Sequence, residues 1–346
     1  MKIDKNENSE KSIVDIAKAL GVSAATVSRA LNDNPRISEA TRKRVKEKAI
    51  ELGYRHNSMA SSLRNKRSKI IGLIVPRISM YFHAVFITAL QNRLQDEGYS
   101  LMVCQSNDSV AVEQKLANTL YSSRVDALVV SLALYTEDYS HFDGFINRGI
   151  PLIFYDRVPT KDYPAHIIQG DDYRGGTIAG NHLIEMGCSK IAYISGPLSC
   201  SIYKERTEGL TDVLKKAKVT LSKKWCFYQE LTAENAWNSL RQIFAGEEVP
   251  EAIFASNDTT AVAAVEFARE QGIKIPEELK IIGYSNDPRA SIISPPITTI
   301  DQHPDEMAHL VAYKLLNLLK DKHARESADT NRKEIVPVTM VRRMTT

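Results

Sequence analysis

The stretch Ser23-Ala24-Ala25-Thr26-Val27-Ser28-Arg29-Ala30-Leu31-Asn32 sets small side chains and one arginine at helical spacing behind a serine. Ser23 is a helix-capping residue type. Val27, Ala30 and Leu31 recur on one face, which must be the inner one. Ala24, Ala25, Thr26, Ser28 and Arg29 are left as the exposed candidates. Their chemistry suits the edges of bases: an arginine fork matches the O6 and N7 acceptors of guanine, and alanine or threonine methyls pack on the thymine methyl. Further along, polar and aromatic groups follow short apolar runs: Arg77, Tyr81 and Phe82; Asp156 and Arg157; Asn257 and Asp258; Ser285, Asn286 and Asp287. Such groups at the ends of parallel strands are what a small-molecule site is built from. Enzyme signatures are missing. There is no phosphate loop, no dinucleotide fingerprint opening a helix, no His-Glu metal motif and no spacing that supports a triad. No catalysis, cofactor or metal is expected.

The elements that must position these groups are legible from pattern. Ser12 opens a helix with Asp15 placed to complete a capping box. Ile13, Ile16, Ala17 and Leu20 then form one face, and Gly21 stops the helix. Two short helices joined by a glycine turn make a helix-turn-helix, whose second helix enters the major groove. After the turn Asn32-Asp33-Asn34-Pro35, Ser38 can cap a third helix with Val45, Ala49 and Leu52 inside and Gly53 as its stop. Charge agrees with this division. Residues 1–69 hold 16 Lys or Arg against 8 Asp or Glu, whereas the whole chain of 346 residues carries only +3. A basic end on a mildly acidic body points to a polyanion partner for that end.

From Lys69 onward apolar runs alternate with amphipathic segments. Ile70–Val75, Leu101–Cys104, Ala127–Ser131, Pro151–Tyr155, Ile191–Ser195, Ala252–Ser256 and Ile281–Tyr284 read as buried parallel strands. Phe82–Glu97, Gly176–Met186 and Thr259–Gln271 read as helices between them. That alternation predicts doubly wound α/β sheets, with length enough for two. The four cysteines (Cys104, Cys188, Cys200, Cys226) have neither paired nor metal-ligand spacing and read as free thiols. Met1–Glu10 lacks the apolar region of a secretory signal, and no run approaches the roughly 18 apolar residues of a membrane span. The expected location is cytoplasmic.

Several of these segments carry a resemblance. Residues 12–23, Ser-Ile-Val-Asp-Ile-Ala-Lys-Ala-Leu-Gly-Val-Ser, then Thr26 to Asn32, Glu51-Leu52-Gly53-Tyr54 and Ala60-Ser61-Ser62-Leu63-Arg64 closely resemble the headpiece of the lactose-repressor (LacI/GalR) family. The last piece is similar to that family's hinge helix, which folds on operator DNA and inserts a leucine into the minor groove. Leu63 is the matching residue, and Asn57 or Ser58 could cap the helix. An apolar wedge of this kind kinks the duplex. His56 stands where the family usually has proline. The DNA-contacting set so implied is Ser12, Ser23, Ala24, Ala25, Thr26, Ser28, Arg29, Asn32, Tyr54, Asn57, Ala60 and Leu63.

The resemblance continues through Ile70 to Pro76, Ser195-Gly196-Pro197-Leu198, Ala255-Ser256-Asn257-Asp258 and Ser294 to Gln302. These look like the family's effector domain, which is similar to periplasmic sugar-binding proteins: two lobes, a cleft and three crossing strands, here placed near Ile168, Pro296 and Ala328. Asp156, Arg206 and Asn257 sit where sugar-responsive members place ligand-binding groups. Tyr81 and Phe82 match aromatic contacts of the purine-responsive member, and Ser285 stands where an acidic residue is usual. Each has a plainer reading. Asp156 could pair with Arg157, Asn257 could cap the helix from Thr259, and Arg206 could be a solvated arginine at a helix start.

The organisation expected is a flexible tail (1–11), a helix-turn-helix domain (12–57), a hinge (58–69) and a two-lobed effector and dimerisation domain (70–346). The implied function is a DNA-binding repressor acting as a homodimer on a near-palindromic operator, with an interface near Phe82–Leu94 and Ala261–Glu270. Its affinity would be set by a sugar-like effector, a purine being the alternative.

Overall fold

A computed structural model describes residues 11–54, 67–320 and 333–346. Residues 1–10 of the expected tail, the hinge segment with Asn57, Ala60 and Leu63, and the crossing expected near Ala328 lie outside the described residues. The chain divides after Ser68 into two compact units.

In the first unit, α1 (Ile13–Leu20), α2 (Ala24–Leu31) and α3 (Glu39–Glu51) follow one another as their caps dictate. Ser12 donates from its backbone N and its Oγ to the Asp15 carboxylate at 2.8 Å each. Gly21 takes the left-handed conformation (φ 65°) that ends α1 and turns the chain. Ser23 Oγ accepts from the Thr26 N–H at 3.1 Å, and Ser38 Oγ from the Thr41 N–H at 3.3 Å. Ile16, Ala17, Val27, Ala30, Val45 and Ala49 are the buried core. So small a core relies on its caps, each worth about 0.5–2 kcal/mol.

The second unit contains two parallel sheets. Its strands are β1 (Ile70–Val75), β2 (Ser100–Gln105), β3 (Ala127–Val130), β4 (Leu152–Tyr155), β5 (His166–Gly170) and β6 (Ile191–Ser195). They continue with β7 (Cys226–Tyr228), β8 (Ala252–Ala255), β9 (Lys280–Tyr284), β10 (Thr298–Asp301), β11 (Lys333–Val336) and β12 (Thr339–Val341). The first sheet has the order β11-β5-β4-β3-β1-β2 and the second β12-β10-β9-β8-β6-β7. All pairings are parallel except β10 with β12.

Helices cover both faces of each sheet. In the first lobe, α4 (Tyr81–Asp96) lies on one face and α5 (Val110–Ser122) on the other, with the short α6 (Asp143–Asn147) beside α5. In the second lobe, α7 (Asp172–Glu185) and α8 (Ser201–Lys216) share one face; α9 (Ala233–Ile243) and α10 (Asp258–Gln271) share the other. The short α11 (Pro288–Ile292) follows β9, and α12 (Pro304–Lys320) returns to pack beside α4.

Among the described residues the chain therefore passes between lobes three times: after Gly170, after Asp301 and between Val336 and Thr339. The first lies within a few residues of the expected Ile168. The second is later than Pro296, because that proline precedes β10 instead of following it. The third falls beyond Ala328, since β11 still belongs to the first sheet. The stretch Leu101–Cys104 is not a buried strand. It is an edge strand whose exposure alternates at first, with Met102 37% exposed.

Candidate nucleic-acid interface and ligand cleft

The reading face expected of the first unit falls on α2 (Ala24–Leu31). Ala25 and Arg29 stand exposed on the outer side, as their spacing requires. Ala24 does not: it is half-buried and packs against the headpiece core, so its methyl is only partly available. Thr26 is half-buried and exchanges a hydroxyl hydrogen bond with Ser23 at 2.9 Å. The Asn32 amide donates back to the Ser28 carbonyl at 2.6 Å, closing the helix end. Tyr54 packs on the same small core, its N–H donating to the Ala49 carbonyl at 2.8 Å. Ser12 is exposed at the start of α1, with its hydroxyl turned to Asp15. Arg29 and Ala25 are the freest groups of the expected set among the described residues.

In the second unit a cavity of about 690 Å³ opens between the lobes, beyond the carboxyl ends of β1, β4, β8 and β9. Its first-lobe wall holds Arg77, Tyr81, Asp108 and Arg157; the opposite wall holds Tyr203, Glu230, Asn257 and Arg289. Asp108 is shared by two guanidiniums. Arg77 Nε donates to it at 3.1 Å and Arg157 Nη1 at 2.5 Å. Burial alone would raise the Asp108 carboxyl, but Arg157 and Arg77 hold it below the usual carboxylate range. Arg77 also reaches across the cleft, where Nη2 donates to Glu230 Oε1 at 2.5 Å. Arg289 is met by Asp287 at 2.7 Å and by the Thr259 hydroxyl at 3.2 Å.

Only two of the six effector-binding candidates line this cavity, Tyr81 and Asn257. Asn257 also caps α10, its Oδ1 accepting from the Thr260 N–H at 2.9 Å while Nδ2 donates to the Leu231 carbonyl at 3.1 Å. One amide N–H and one lone pair remain for a ligand. Phe82 is 5% exposed and belongs to the first lobe's core. Ser285 turns its hydroxyl to Gln302 Oε1 at 3.1 Å. Asp156 is 5% exposed and accepts from Ser131 Oγ at 3.3 Å, and burial raises its carboxyl above the ordinary value. The Arg157 guanidinium binds Asp108 instead of forming an ion pair with Asp156, which takes only a backbone hydrogen bond and the nearby charge of Arg157.

Arg206 is neither solvated nor in the cleft wall. It is 2% exposed, donates from Nε to Asp172 Oδ1 at 2.7 Å and from Nη1 to the Ser256 carbonyl at 2.8 Å, and lies 3.6 Å over the Tyr284 ring. Burial pushes the Asp172 carboxyl up to about 6 even with Arg206 beside it. The residues that sequence reasoning missed include Asp108, Tyr203, Glu230 and Arg289. Asp108 had a signal in the polar run Ser106 to Ser109 that follows β2 directly; Glu230 follows a strand of three residues and had none.

Comparisons with known proteins agree with both halves. Residues 12–57 match the family described as bacterial regulatory proteins, lacI family, and residues 181–346 match a periplasmic binding protein-like domain. The HTH-type transcriptional repressor PurR of Aliivibrio salmonicida is 32% identical over 312 residues, 90% of this chain and 93% of the relative. The HTH-type transcriptional regulator DegA of Bacillus subtilis is 32% identical over 85% of this chain and 87% of its own. Among solved structures, the lac repressor dimer bound to operator and the anti-inducer ONPF superposes with a TM-score of 0.85 at 24% identity, covering 98% of this chain and 99% of that one. A helix-turn-helix unit joined to a two-lobed, periplasmic-binding-protein-like domain defines a DNA-binding transcriptional regulator. The chain belongs to the LacI family of bacterial regulatory proteins. Among its described residues no helix is long and apolar enough to cross a membrane.

Proposed function

We propose that the chain is a repressor that binds a near-palindromic operator as a homodimer through α2, and that a carbohydrate held between the lobes sets its operator affinity. The observation that carries the effector reading is the interlobe cavity. It is lined by side chains that donate and accept at fixed positions, with the Tyr81 and Tyr203 rings beside them. A sugar needs that combination of directed polar groups and a flat apolar surface. A purine is the second reading, favoured by Tyr81, whose ring could stack on a nucleobase. The outer face of α4, where Ala84 and Thr88 are exposed, supports a place for the second copy. Phe82, Phe86, Leu90 and Leu94 cannot serve there because their own lobe buries them.

The reading is tested on the full chain. Sedimentation with a symmetric operator should give a dimer on one duplex, and calorimetry against neutral sugars, sugar acids and nucleobases should find one class that also changes operator retention. A monomer on DNA would overturn the assembly, and a ligand with no effect on DNA binding would overturn the control.

A further inference from the structure

The charges around the cleft do not balance on the first-lobe wall. Among the described residues of this wall, Arg77 and Arg157 share one ion-pair partner, the Asp108 carboxylate; Asp156 acts on Arg157 only through space, and its own burial disfavours its charge. Glu230 supplies the missing negative charge from the opposite lobe through its contact with Arg77. Arg289, also in the cavity wall, is matched within its own lobe by Asp287 and adds no demand. A second observation points the same way. Arg157 is 4% exposed and lines the cavity, yet its Nε has no hydrogen-bond partner. A buried cationic N–H left idle is unfavourable, and an acceptor entering the cleft relieves it.

Glu230 suits the part of a stand-in. Its side chain is 38% exposed, so it returns to water easily once displaced. A neutral ligand that displaced it would leave the Arg77 and Arg157 pair under-compensated in a confined site. An acidic ligand would exchange one carboxylate for another and leave the charge count unchanged.

Taking the cleft as the effector site, as in the preceding reading, we propose that its ligand is an anionic carbohydrate whose carboxylate or phosphate replaces Glu230 at Arg77 and extends toward Arg157. Its hydroxyls then meet the opposite wall, where Asn257 and Thr232 stand. The lobes exchange a direct ion pair for one made through the ligand. That gives the ligand a preference for a particular lobe arrangement, which is what control of a distant site requires.

The test uses the full chain and matched probes: glucose, glucuronate and glucose 6-phosphate, with galactose and galacturonate alongside. At least one acid should bind about tenfold or more tightly than its neutral parent, the difference a charged hydrogen bond supplies. The uronate and phosphate arms separate the two anions. Raising the salt concentration should weaken the acid and leave the parent unaffected. Glu230→Gln should tighten the acid several-fold by removing its competitor, and Arg77→Gln should erase the preference. Neutral parents binding as well as their acids would overturn the anion while leaving the carbohydrate reading standing. Silence of every acid, or an unchanged or weaker acid affinity in Glu230→Gln, would also overturn it. Hypoxanthine or guanine binding in place of all sugars would remove both readings, whereas operator retention by the same preparation would still identify the regulator.

Discussion

Two arginines show how environment decides what one side chain does. The Arg29 guanidinium stands in solvent on the outer side of α2, where its fork can meet a base edge. Arg29→Ala should therefore cost about 1–3 kcal/mol at one operator position and little on random DNA. Equal losses in gel-shift titrations on both duplexes would make it a phosphate contact. Arg206 is enclosed, and its replacement leaves the Asp172 carboxylate buried without its cation. Arg206→Ala should lower stability by about 3–5 kcal/mol in urea unfolding. A variant as stable as the parent would disprove the structural role. Asp258 gives a pH-dependent counterpart. Burial pushes its carboxyl up to about 6, against hydrogen bonds from the Thr299 hydroxyl and the Asp287 N–H. A raised carboxyl favours the fold below pH 4 and loses that contribution as pH climbs through 6. Wild type should therefore lose up to about 3 kcal/mol relative to Asp258→Asn between pH 4 and pH 7. A flat difference across that range would contradict it. Arg29 was legible from helical spacing alone. Arg206 was not, because its partner lies on another helix 34 positions away.

At the scale of elements, α7 and α8 approach so closely that each presents a glycine to the other's backbone. A methyl at Gly176 would overlap the Arg206 carbonyl, and one at Gly209 would overlap the Tyr173 carbonyl. Backbone cannot yield as a side-chain tip can. Gly176→Ala should cost at least about 1–3 kcal/mol, measured as a lower denaturant midpoint; an unchanged midpoint would mean that the helices separate freely. The sequence predicted most of the central strands because apolar runs such as Ile70–Val75 and Ile191–Ser195 are buried on both faces. It missed β7, β11 and β12, which are edge strands of three or four residues with mixed polarity. It also passed over β5, His-Ile-Ile-Gln-Gly, whose two apolar residues stand among polar ones, and β10, Thr-Thr-Ile-Asp, where buried threonines hydrogen-bond within the lobe instead of advertising a core. Of the cleft, the first-lobe arginines and Asn257 were visible at strand ends, but the bridge from Arg77 to Glu230 joins residues 153 positions apart. Only the fold brings them together.

For the whole molecule, the effector can change operator affinity only by as much as it distinguishes one lobe arrangement from another. A coupling of about 1–3 kcal/mol corresponds to a change of roughly 5- to 150-fold. Operator titrations with and without saturating ligand should fall in that range, and identical curves would show that the cleft and the DNA do not communicate. The strand order has a separate consequence for how the protein is made. β11 closes one side of the first sheet and β12 one side of the second, and only two residues separate them. Neither lobe is a continuous piece of chain, so neither can be cut out by choosing two end points. During synthesis both sheets wait, each lacking one edge, until residues 333–341 leave the ribosome. A stop codon after Lys320 would therefore damage the two lobes together, however sound the first 320 residues are.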